Sequence, residues 1–144
     1  MKTILACLFI AAGSHNVPFE SLLAIHLVEG GKIGMANMNT NATEDLGVMQ
    51  INTIWVPTFA KQWNISEEKA RERLQYDACS SANAAGHILK GHIDTAQNIE
   101  VAMGYYHSKT PSVSMRYRNK VVPIMLNIQE YLKNKRQEEV YASN

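Results

Sequence analysis

The chain has 144 residues, of which 46% are apolar and 19% charged, with a mean hydropathy of −0.21. That length suits one domain around one core, and the balance excludes a disordered or membrane-integral protein. A net charge of +1 gives no electrostatic pull towards nucleic acid or an acidic membrane surface. Arg116, Arg118 and Lys120 form a local basic cluster that reads as a solvated helix face.

Met1-Lys2 and the apolar run Ile4–Ala12 read as a short signal peptide, with Ala12, Gly13 and Ser14 as the cleavage region and residues 15–132 as the mature domain. The run is shorter than the roughly 20 residues that span a bilayer. The alternative is that Ile4–Ala12 is the first buried helix. Cleavage would leave Cys79 alone, whereas retention would allow a Cys7–Cys79 bridge in an oxidising compartment. No cysteine spacing suggests zinc.

Pro18 to Glu29 has apolar residues at helical spacing behind a first-turn proline, and Gly30-Gly31 stops it. Residues 30–45 form a loop rich in Gly, Asn and Thr, too polar for core. Leu46–Asn52 is a short extended or irregular apolar stretch, and Thr53–Trp63 a helix containing Pro57. Asn64 and Ser66 are capping candidates for a charged helix over Glu67–Tyr76. Asp77 caps a further helix to about His92, and Asn98–His107 makes another. Thr110-Pro111 opens a long helix towards Leu132 that Pro123 kinks or breaks, and residues 133–144 form a fraying polar tail. The expected fold is mainly α.

Glu29 is the first residue with chemical promise. It follows the apolar stretch Ala24–Val28 and ends its helix, so the macrodipole and partial burial both favour its neutral form. A protonated carboxyl near neutral pH is what general acid catalysis of glycoside cleavage requires. A glutamate at a helix end is, on its own, more often a plain surface residue.

Its neighbours change that weighting. Gly47-Val48-Met49-Gln50-Ile51-Asn52 resembles the Gly-x-Met-Gln-Ile stretch of the lytic transglycosylases with a soluble lytic transglycosylase (SLT) domain. In that family a catalytic Glu ends a helix, a glycine-rich connection follows, and an Ala-x-x-x-Tyr segment comes later. Glu29, Gly47–Ile51 and Ala102-Met103-Gly104-Tyr105-Tyr106 occur in that order, so the resemblance spans roughly residues 17–120. It implies a lysozyme-like, goose-type helical domain with a short irregular or β segment beside the cleft.

Each motif residue has a physical use. Gly47 would let a sugar approach backbone, Met49 would offer a soft apolar surface, and Gln50 would donate to and accept from sugar groups. Core packing is the competing reading for Met49 and Ile51. Asn52 and His107 complete the set expected at the substrate. By alignment with the family, Tyr106 is the tyrosine expected to hydrogen-bond the Glu29 carboxyl. Two positions depart from the pattern: His107 replaces a common Asn, and Gly30 replaces a Ser after Glu29.

The resemblance implies cleavage of the β-1,4 bond between N-acetylmuramic acid and N-acetylglucosamine, leaving a 1,6-anhydro end, without metal or other cofactor. The substrate would be peptidoglycan, reached by an exported monomer in the periplasm or cell envelope, and compact relatives serve secretion, conjugation or pilus machines. The alternatives are a hydrolytic muramidase, using Glu44 or Asp45 as second carboxyl, or an idle murein-binding module. A metal site built on His26, Glu29, His87 or His92 is disfavoured, because His87 and His92 point to different faces of their helix.

Overall fold

The computed structural model describes residues 2–144, with side chains from residue 4 onward. Seven helices, α1 (Lys2–His15), α2 (Phe19–Glu29), α3 (Val56–Trp63), α4 (Glu67–Tyr76), α5 (Ala78–Ala96), α6 (Ile99–His107) and α7 (Pro111–Ala142), surround one core among the described residues. Between α2 and α3 lie three short strands, β1 (Ala36–Met38), β2 (Glu44–Leu46) and β3 (Ile51–Asn52), in a sheet of order β1-β2-β3. The architecture is mainly helical with a small antiparallel sheet.

Of the two readings of Ile4–Ala12, the buried helix is the conformation found. Ile4, Cys7, Leu8, Ala11 and Ala12 fall at i, i+3, i+4, i+7 and i+8, so α1 turns one apolar stripe inward. That stripe packs on α5, whose Ala82, Ala85 and Gly86 leave room for close approach. A Cys7–Cys79 disulfide joins the middle of α1 to the start of α5 across 72 residues of chain. Closing a loop of that length restricts the unfolded chain by about 4 kcal/mol in the chain-entropy account.

α5 is the hub of the bundle. It packs against α1, α4 and α6, while α7 lies across α2 and α6. Its N-terminus is capped by Asp77, whose carboxylate accepts from the backbone N–H groups of Cys79 and Ser80. It runs beyond His92 to Ala96, ending where Gln97 turns left-handed at φ 56°.

Four expectations need correction. Residues 30–45 are not wholly loop, since they carry β1 and the first two residues of β2. Thr53–Trp63 is not one helix: a 3-10 turn at Thr53–Trp55 precedes α3, with Asn52 accepting from the Ile54 N–H. Pro57 therefore sits in the first turn of α3, where its missing N–H costs no helical bond. In α7, Pro123 neither breaks nor ends the helix. Pro123 and Asn119, four residues back, both face solvent, so water can satisfy the carbonyl that loses its donor. Residues 133–142, expected to fray, continue α7 as an exposed helical extension.

In the sheet, Asp45 pairs with Asn37 on one side and Asn52 on the other, while Leu46 pairs with Ala36 and Ile51. Strand alternation then sends Leu46 and Ile51 into the core and turns Asp45 and Asn52 to the opposite face. That polar face becomes one wall of the cleft.

A chain beginning at His15 would lose the Ile4, Cys7, Leu8, Ala11 and Ala12 packing and should show no cooperative thermal transition by circular dichroism. In the full chain, reduction of Cys7–Cys79 should lower the melting midpoint by roughly 10 °C. A transition unaltered in both experiments would contradict the placement of α1.

Candidate active site

Glu29 is the last residue of α2, and Gly30 turns the chain away at φ 62° with its N–H bonded to the His26 carbonyl. Leu22, Ala24 and Ile25 are fully buried, so α2 fixes the position of Glu29 through its core-facing side. The segment 47–50 is drawn against the end of that helix. His26 Nδ1 lies 2.9 Å from the Val48 carbonyl oxygen; since the carbonyl only accepts, that nitrogen carries the proton. A Cβ on Gly31 would run into the backbone carbonyls of Gly47 and Val48, so the second glycine after Glu29 permits the close approach.

The same segment is held from two more directions. The Met49 N–H donates to the buried Ser81 hydroxyl of α5 at 3.3 Å. The Tyr106 hydroxyl of α6 donates to the Met49 carbonyl at 2.8 Å. α2, α5 and α6 therefore meet through backbone atoms of the motif. This corrects the role expected for Tyr106, whose proton goes to Met49 and not to the carboxyl.

Gly47 acts differently from expectation, and for Met49 and Ile51 core packing is the reading that holds. Gly47 is buried with φ 67°, and a Cβ there would collide with the Leu74 carbonyl, so the glycine serves a tight turn against α4. Met49 is fully buried and has no side-chain surface for a sugar. Its contribution is its backbone. Gln50, itself left-handed at φ 51°, folds its amide back to donate to the Gly47 carbonyl and accept from Asn37. Asn52 donates to Asp45 and to Thr43, both at 3.0 Å, and positions the Asp45 carboxylate.

Together these residues shape a cleft of about 240 Å³ lined by Glu29, Asn39, Asn41, Thr43, Asp45, Gln50, Asn52, Trp55, Ile88, Tyr106 and His107. Amide and hydroxyl groups cover one wall, with the Trp55 ring beside them. The amide and hydroxyl part of this lining can hydrogen-bond an uncharged polyhydroxylated ligand, with the Glu29 and Asp45 carboxyls beside it. A larger open groove of about 670 Å³ lies between Glu20 and the far end of α7, away from Glu29 and the sheet. The smaller polar cleft is the one that contains Glu29 and Asp45.

Burial is the main influence on Glu29 and raises its pKa from 4.5 to about 7. The Tyr117 hydroxyl pulls that value down, and the negative charge of Asp45 pushes it up. Tyr117 is buried on α7, and its hydroxyl forms no well-aligned hydrogen bond, yet it stands close enough to Glu29 for each to move the other's pKa. Burial also raises the Tyr106 phenol, and Glu29 and Asp45 add to that rise. His107 stacks on the Tyr117 ring at 4.8 Å between centroids and 6° between planes, and burial lowers its pKa.

Tyr117 was not singled out in the sequence, although Val113, Tyr117 and Val121 recur at i, i+4, i+8 and mark an inward face. Asn39, Asn41 and Thr43 were hidden in a loop that composition marks only as polar. Glu44, the other candidate second carboxyl, pairs with Arg71 at 2.6 Å. His87 packs against Phe59 and His15, and His92 against Tyr105. Among the described residues no group of three or more His, Cys, Asp or Glu side chains could hold a metal ion.

No protein-family model matches the chain, and no curated protein matches it significantly.

The raised pKa of Glu29 has a stability consequence. The folded state holds this proton more tightly than the unfolded chain, so stability is fully present below about pH 4.5 and falls as pH rises to about 7. Glu29→Gln should therefore be more stable than the parent at pH 8, by on the order of 2–3 kcal/mol, with no gain at pH 4. Denaturant melts at the two pH values measure this directly. An equal effect at both would mean that Glu29 titrates normally.

Proposed function

We propose that the chain is a peptidoglycan lytic transglycosylase of lysozyme-like fold, with Glu29 as its acid and then its base. The observation that carries the reading is a partly buried carboxyl with a pKa raised to about 7, opening into a cleft walled by amides, hydroxyls and one tryptophan. The order of Glu29, Gly47–Ile51 and Ala102–Tyr106 along the chain supports the same reading.

A carboxyl that keeps its proton near neutrality can protonate the glycosidic oxygen, turning a poor alkoxide leaving group into a hydroxyl. Positive charge then develops at C1 of the muramic sugar. The ionised Glu29 and the neighbouring Asp45 stabilise it, and the substrate's own acetamido oxygen can shield that carbon. Glu29 next removes the proton of the muramic C6 hydroxyl, which attacks C1 within the same sugar and closes the 1,6-anhydro ring. Tethering the nucleophile in the substrate gives it a high effective molarity, so the reaction needs no activated water. Glu29 ends the cycle protonated, and no metal or organic cofactor enters.

Asp45 gives the hydrolytic alternative a specific footing, since it lines the cleft with Glu29 and acts on its charge. A water activated there would give a reducing muramic end instead of an anhydro end. The Cys7–Cys79 disulfide fits an oxidising compartment such as the cell envelope, where peptidoglycan is met. Among the described residues no helix is long and apolar enough to cross a membrane. We place the enzyme in the periplasm or envelope as a monomer acting on glycan strands, in the service of a secretion, conjugation or pilus machine.

Incubation with purified murein should release muropeptides that end in 1,6-anhydromuramic acid by mass spectrometry, and Glu29→Gln should lower the rate at least about a hundredfold. Reducing muramic ends alone would transfer the assignment to hydrolysis. Full activity in Glu29→Gln would remove Glu29 from the chemistry.

A further inference from the structure

Glu29 and His107 border two hollows, not one. Beyond them, on the side away from the sheet, lies a second hollow of about 380 Å³ whose wall is α7. Val113, Arg116, Tyr117 and Lys120 line it, spaced three and four apart so that they share one helical face. The two hollows differ in charge. The sheet-side cleft has Asp45 and uncharged amides, whereas the α7 side has two cations.

Other cations near the core are already neutralised. Arg71 pairs with Glu44 at 2.6 Å and Arg118 with Glu100 at 3.3 Å. Among the described residues neither Arg116 nor Lys120 has a carboxylate within ion-pair distance. Lys120 stands near enough to His107 to help lower that ring's pKa, which places its charge towards the junction of the hollows.

The glycan strand has a matching asymmetry. N-acetylglucosamine is neutral, while muramic acid carries a lactyl group ending in a carboxylate or in a peptide with acidic groups. Resting on the peptidoglycan-cleaving reading, we propose that the hollow beside α7 is a carboxylate-binding subsite, in which Arg116 and Lys120 hold the acid borne by the lactyl substituent of a muramic residue. A strand crossing Glu29 would then lie with an acid-bearing sugar against α7 and its uncharged groups against the Asn and Thr wall. This fixes the direction in which the strand enters. Both cations are exposed, so their pull is modest and falls with ionic strength.

The test measures calorimetric binding to full-length Glu29→Gln protein, which holds the strand without turning it over. The probes are short strands in three forms: peptide-free with the lactyl acid exposed, the same strands methyl-esterified, and peptide-bearing. Acid-bearing strands should bind about threefold to tenfold tighter than the ester, and Arg116→Ala/Lys120→Ala should collapse that ratio towards one. High salt should do the same. A preference for the peptide-free acid assigns the charge to the lactyl carboxylate; a preference seen only with peptide-bearing strands assigns it to the peptide's acids, and either outcome supports the subsite. Equal binding of all three strand forms, or a double substitution that weakens all of them equally, overturns it. Wild-type protein that cleaves none of the strands defeats the glycan-cleaving reading itself, whereas cleavage without any acid preference defeats only the subsite.

Discussion

The carbonyl oxygens of Val48 and Met49 accept hydrogen bonds from His26 of α2 and Tyr106 of α6, and these two contacts join the segments around Glu29. A short irregular loop has little of its own to hold it in place, because its backbone groups lack a regular ladder. Here each partner comes from a different helix. The third tie, from the Met49 N–H to Ser81, reaches α5, the helix on which most of the bundle packs. Replacing either glycine on the approach, Gly31 or Gly47, would drive a Cβ into backbone carbonyls that cannot easily yield. The loop is thus placed by the bundle, and the cleft is placed by the loop.

Much of this arrangement was legible in the sequence because it rests on local rules. Apolar spacing marks α2 and α5, Ser66 and Asp77 cap the helices that follow them, and Gly30 ends α2 in the left-handed conformation. The position of Glu29 at a helix end follows from the same spacing. What the sequence hides are contacts between distant residues. Tyr106 donates to a carbonyl 57 positions away, a partner that no local pattern reveals. Met49 looks like a sugar-facing apolar residue until burial shows its side chain in the core. Tyr117 stands in a charged helix among Arg116, Arg118 and Lys120, so only its period, and not its surroundings, marks it as inward.

Residues 4–12 teach a related lesson. A short apolar run meets the demands of an export signal and of a buried helix equally well, since both require little charge and helical propensity. In the folded chain the run forms a one-sided stripe. Ile4, Cys7, Leu8, Ala11 and Ala12 are buried while Phe9 and Ile10 stay largely exposed, a one-sided pattern that a packed helix needs. Cys7 adds a covalent tie from that stripe to α5.

The cleft concentrates opposing influences on one proton. Burial and Asp45 hold it on Glu29, and the Tyr117 hydroxyl favours its release. The balance leaves the carboxyl able to give a proton and to take one back near neutral pH, which is what a single acid/base must do. Carbon-13 NMR titration of the Glu29 side-chain carboxyl tests this most directly. The account predicts a midpoint of about 7 that moves down in Asp45→Asn and up in Tyr117→Phe. A midpoint near the ordinary value of 4.5, unmoved by either substitution, would contradict it.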